Sequence, residues 1–154
     1  MPLKTDILVV DDDLALLQAM NLALQPAYEV HLASKAHEAN EILKLKPIPV
    51  VILDLHLPQI SGLDLLKSWK IDFPDTEVIF CSGEQKVEKA IECIRLGASD
   101  FISKPFQEKE LYELIARNLK IEKKSLSQIP VINKTSQKKL ESVVDIEFLK
   151  STSR

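Results

Sequence analysis

Aromatic side chains are scarce, at 5% of 154 residues, so a core drawn from the 45% of apolar residues must be mainly aliphatic. No apolar run reaches the ~18 residues needed to cross a bilayer. The opening "MPLKTDILVVDDD" has no small-residue cleavage site, and its apolar run stops at an aspartate, which argues against an export signal. Cysteine is limited to Cys81 and Cys93, a spacing that suits no metal site, so reduced thiols and a cytoplasmic location are the simplest reading. A basic excess is missing from the main body: residues 1–119 hold 12 Lys+Arg against 19 Asp+Glu, a net −7. That body is a poor candidate for wrapping nucleic acid. Residues 120–154 hold 8 Lys+Arg against 4 Asp+Glu, a net +4 that reads as a solvated tail.

What is present is a regular alternation of two kinds of apolar run. "DILVV" (6–10), "PVVILDL" (49–55), "EVIFCS" (77–82) and "DFIS" (100–103) have the short, β-branched composition of strands, and "YEVHLA" (28–33) alternates as a half-exposed strand does. Between them, "LALLQAMNLAL" (14–24) stops before Pro26, "AHEANEILKL" (36–45) before Pro47 and Pro49, and "SGLDLLKSWK" (61–70) opens on Ser61 as N-cap. "QKVEKAIECIRLG" (85–97) places Val87, Ala90, Ile91 and Ile94 on one face and ends at Gly97, and a long helix spans 107–124. Five strands alternating with five helices predict an α/β fold with a parallel sheet and right-handed crossovers. Residues 125–137 read as a linker, and 138–150 as either one more amphipathic helix or a partly ordered tail.

In such a sheet, ligands bind outside the carboxyl ends of the strands. Those ends carry Asp11 and Asp12, Asp54, Ser82 and Lys104, separated by 42, 28 and 22 residues, each gap about one helix plus one strand. Two carboxylates ~5 Å apart at an effective dielectric near 20 repel by roughly 3 kcal/mol, a large share of the 5–15 kcal/mol that stabilises a domain. Lys104 offsets at most one of three charges. A hard, oxygen-ligated divalent cation relieves the rest, and a cation beside a carboxylate and an ammonium suits phosphoryl transfer, with an aspartate as acceptor.

These residues bring a family into view. "ILVVDDD", "VVILDLHLPQISGLDLL", "IFCSG" and "GASDFISKPF", in order and at these spacings over about residues 4–122, resemble the CheY-like receiver domain of bacterial two-component response regulators. The resemblance implies a flavodoxin-like doubly wound (βα)5 fold of strand order 2-1-3-4-5. It implies that Asp54 accepts a phosphoryl group from a sensor histidine kinase or phosphotransfer protein, with Mg²⁺ (or Mn²⁺) held by Asp12, Asp54 and the backbone carbonyl of His56, and by Asp11 mainly through a coordinated water. Ser82 and Lys104 are then phosphate-binding groups, Phe101 the switch aromatic, and His56 and Glu84 the residues that tune phosphate lifetime. The Lys104–Pro105 bond is cis on the same ground. Leu57 and Ser61 stand where the family often has methionine and aspartate.

Beside these readings stand plainer ones. Asp13 opens helix 1 as a cap; Cys81 is a core residue, and Cys93, off the apolar face of helix 4, is exposed on the signalling surface. His31 and His37 are surface residues, and Trp69 packs helix 3. Helix 1 has more leucines than one buried face needs. The rival function is a haloacid-dehalogenase-type phosphatase, which Asp11-x-Asp13 matches superficially; a scaffold that never takes phosphate is a third reading. The chain divides into a receiver at 1–123 and a basic linker or tail at 124–154. It is read as either a single-domain regulator or a piece of a longer protein carrying an effector domain, with homodimerisation open and no membrane or receiver contact with nucleic acid.

Overall fold

The computed structural model describes residues 3–119. Strands β1 (Thr5–Val10), β2 (Tyr28–Ala33), β3 (Val50–Asp54), β4 (Glu77–Ser82) and β5 (Asp100–Ser103) alternate with α1 (Leu14–Leu24), α2 (Ala36–Leu45), α3 (Gly62–Asp72), α4 (Val87–Arg95) and α5 (Glu108–Asn118). All four pairings are parallel, in the order β2-β1-β3-β4-β5, so the flavodoxin-like expectation holds. Every residue of β3 is buried, as a strand covered on both faces requires.

The two-residue period of the strands divides the core in two. Leu8, Val10, Val51, Leu53, Val78 and Phe80 face α2, α3 and α4, where Leu43, Leu66, Trp69 and Cys93 meet them. Ile7, Val9, Val50, Ile52, Ile79 and Ile102 face α1 and α5, where Leu17, Leu24, Leu111 and Ile115 meet them. Trp69 is buried, and its indole N–H donates to Asn40 Oδ1 at 2.6 Å, so it packs α3 as expected.

The helix ends are fixed locally. Asp13 Oδ1 accepts the Leu16 N–H at 3.2 Å and Ser61 Oγ the Asp64 N–H at 3.1 Å, caps worth about 1 kcal/mol each. After α4, Gly97 adopts φ 109°, a left-handed conformation that costs glycine little. Its N–H donates to Ile94 O and that of Ala98 to Cys93 O, both at 3.0 Å, a Schellman turn that releases the chain into β5.

Helix α4 departs from the sequence reading. It is shorter than 85–97, and Cys93 is fully buried whereas Ile94 is 47% exposed. Val87, Ala90, Cys93 and Gly97 form a second stripe, three to four residues apart, and the Gly97 turn presents that stripe to the sheet. Burial pushes the thiols up, to about 12 for Cys81 and about 11 for Cys93, which disfavours the reactive thiolate. His37 is exposed as expected; His31 is half-buried, its Nε2 2.8 Å from Asp6 Oδ1. Among the described residues no helix is long and apolar enough to cross a membrane. The expected continuation of α5 to 124, the linker, the segment 138–150 and the boundary at 123/124 lie outside the described residues.

Candidate functional site at the carboxyl edge of the sheet

Parallel pairing brings four strand ends to one edge. Asp11 follows β1, Asp54 ends β3, Ser82 ends β4 and Lys104 follows β5. Carboxylate oxygens of Asp11, Asp12 and Asp54 all lie within 4.8 Å of one another. Asp11 and Asp54 are buried and Asp12 is exposed. The pocket therefore has an open side through which an ion or a phosphoryl group can enter.

Lys104 sits between two of these acids. Its Nζ is 2.7 Å from Asp11 Oδ2 and 3.8 Å from Asp54 Oδ2. The sequence reading made Lys104 a phosphate-binding group; its tighter partner here is Asp11. Burial alone would lower the Lys104 ammonium, but the hydrogen bond and charge of Asp11 and the charge of Asp54 outweigh it and hold the group above its ordinary value. The Asp54 carboxyl is raised as well, which for an acid disfavours the charged form. Burial, then the charges of Asp11 and Asp12, raise it against the His56 N–H bond and Lys104. A carboxylate so placed gains from a nearby cation, and the donors here are oxygens only, the set a hard divalent cation prefers.

The surrounding loops position the remaining groups. The His56 N–H donates to Asp54 Oδ1 at 3.2 Å, and the His56 ring reaches across to within 3.8 Å of Glu84 Oε2. Ser82 is fully buried; its hydroxyl accepts the Glu84 N–H at 3.0 Å, and its carbonyl accepts the Lys104 N–H at 2.7 Å. Lys104–Pro105 is cis. Phe101 is half-buried, pairs in register with Phe80 and packs on the α2–α4 side of the sheet rather than into the acidic pocket. Asp13 turns away to cap α1, so the Asp11-x-Asp13 pattern behind the phosphatase reading does not form a pair.

The sequence reading gave Gly62 no role. It opens α3, its N–H donates to Leu55 O at 2.9 Å, and a methyl group added to it would lie 2.7 Å from the backbone oxygen of Asp54. The only signal was a glycine directly after the Ser61 cap, which reads as an ordinary turn.

The sequence profile of the response regulator receiver domain matches residues 7–116. The chain belongs to that family. A putative NtrX-like response regulator of Rickettsia conorii is 34% identical over 139 residues, covering 88% of this chain and 29% of that protein. The chain thus spans under a third of that relative's length. Among solved structures, a CheY-like receiver domain from Methanospirillum hungatei is 28% identical with a TM-score of 0.72, covering 79% of this chain and 98% of the other. The BeF3-activated DrrB receiver domain is 28% identical with a TM-score of 0.69, covering 77% and 99%. This receiver is accordingly a phosphorylation switch, a signalling module rather than an enzyme, with an acidic pocket of Asp11, Asp12 and Asp54 beside Lys104.

Proposed function

We propose that Asp54 is the phosphoacceptor. Its carboxylate attacks the phosphorus of a phosphohistidine on a sensor histidine kinase or phosphotransfer protein; the N–P bond breaks and an aspartyl phosphate forms. The observation that carries this reading is the convergence of three carboxylates within 4.8 Å beside one ammonium. Asp11, Asp12, Asp54 and the backbone carbonyl of His56 would hold Mg²⁺ (or Mn²⁺), which would neutralise charge on the transferring group.

The other residues act on the product. Ser82 Oγ accepts the Glu84 N–H, which leaves its own proton to donate to a phosphoryl oxygen. Lys104 closes its 3.8 Å gap to Asp54 into a charge-assisted bond with the phosphate. Movement of Ser82 and Lys104 frees space into which Phe101 turns, and this biases the α4–β5–α5 face that a downstream domain, partner or second copy reads. His56 and Glu84, which approach each other over the pocket, set how readily water reaches the phosphate. The protein works in the cytoplasm, with residues 1–123 as the receiver and 124–154 as a basic linker or tail. A small phosphodonor such as acetyl phosphate, with Mg²⁺, is expected to label the wild type once per chain and Asp54→Asn not at all, read by intact mass. Equal labelling of Asp54→Asn would contradict the assignment.

A further inference from the structure

We propose that Gly62, at the first turn of α3, is a positioning residue that holds Asp54 and the His56 peptide in place from behind the pocket; this rests on the reading of Asp54 as phosphoacceptor. The loop from Leu55 to Ser61 folds back on its own strand: His56 and Ser61 form an antiparallel bridge, and the Gly62 N–H donates to Leu55 O at 2.9 Å. Gly62 is buried and its φ is not positive, so backbone conformation does not demand glycine here. Space does. A Cβ would meet Asp54 O at 2.7 Å, Phe80 Cε1 at 2.8 Å and Leu55 Cα at 3.0 Å.

Two of these three neighbours are backbone atoms of the strand end that carries the acceptor. The third belongs to a fully buried ring in a closely packed core, which has little room to move. An added methyl therefore displaces the Asp54–Leu55 peptide. That peptide leads directly to His56, whose N–H orients Asp54 Oδ1 and whose carbonyl is the proposed cation ligand. One shift moves an acceptor oxygen, its hydrogen-bond donor and a cation ligand together. Misplacement of a reacting group by about 1 Å can cost on the order of a hundredfold in rate.

The test compares wild type, Gly62→Ala and Leu24→Ala, the last a core truncation in α1 whose side chain lies away from the pocket loops. Mn²⁺ binding by electron paramagnetic resonance and labelling by acetyl phosphate at saturating Mn²⁺ are both measured where heat scans show each variant folded. The expected result is a tenfold or greater loss of Mn²⁺ affinity and of labelling rate in Gly62→Ala, with Leu24→Ala matching the wild type in affinity. Should Gly62→Ala fold poorly, adding Phe80→Leu removes the ring contact but keeps the carbonyl contact, and the same losses are expected. Wild-type affinity and rate in either Gly62 variant overturn the proposal. A wild type that binds Mn²⁺ but takes no label contradicts the phosphoacceptor reading instead, and the affinity comparison still decides the role of Gly62.

Discussion

The two edges of the sheet treat their acids in opposite ways. At the amino edge, Asp6 Oδ1 accepts from His31 Nε2 at 2.8 Å and from Lys46 Nζ at 3.3 Å. Asp100 is bonded by Arg117 and, at 2.8 Å, by Asn118 Nδ2, and Glu77 by the Ser99 hydroxyl. At the carboxyl edge, Asp11, Asp12 and Asp54 crowd together with one ammonium among them. The same residue type is matched with donors where it serves the fold and left in excess where it serves chemistry. The shifts agree: the His31 hydrogen bond lowers Asp6, whereas burial raises Asp54. A charge-rich site on an otherwise satisfied scaffold is the pattern expected of functional regions.

Removing a partner at each edge sharpens the contrast. The largest effect is expected for Lys104→Met in chelator. It leaves the buried Asp11 and Asp54 without their ammonium and should cost about 2–4 kcal/mol in denaturant unfolding. Millimolar Mg²⁺ should restore part of that loss, because a cation substitutes for the ammonium. At the amino edge, Asp100→Ala unpairs Arg117 and should cost about 1–2 kcal/mol, a loss that Mg²⁺ leaves unchanged.

The smallest effect concerns pH. The Asp6 pKa lies below the ordinary 3.8 when folded, chiefly through the His31 hydrogen bond and then Lys46, against a burial contribution that raises it. A depressed carboxyl contributes stability that is fully present above its unfolded value and is lost as pH falls through the folded one. Asp6→Asn should therefore flatten the acid limb of the stability curve below about pH 4. An unchanged acid limb would show that the pair contributes nothing to folding.

The contrast between edges also marks what could be read from the chain. The strands were legible because proline, glycine and charge punctuate short β-branched runs; "YEVHLA", "EVIFCS" and "DFIS" fall on β2, β4 and β5 with their bounds unchanged. The acids at strand ends were legible because parallel topology fixes which edge they reach. The face of α4 was not: Ile91 and Ile94 look like core, but Gly97 and its turn present Cys93 instead. Pairings set by register or side-chain reach were equally hidden, including His31 with Asp6 and the preference of Lys104 for Asp11. The clearance behind Gly62 depends on a contact between loop and strand that no local pattern encodes.

The central claim is that the crowded carboxylates are a standing cost which a cation relieves, and the thermal midpoints of wild type and Asp54→Asn in chelator and in Mg²⁺ test it most directly. Removing one repelled charge should stabilise the cation-free protein by about 1 kcal/mol, raising the Asp54→Asn midpoint by about 3–5 °C. Mg²⁺ should then raise the wild type and leave the variant nearly unmoved. An Asp54→Asn protein that melts below the wild type in chelator, with equal shifts in Mg²⁺, would contradict the account.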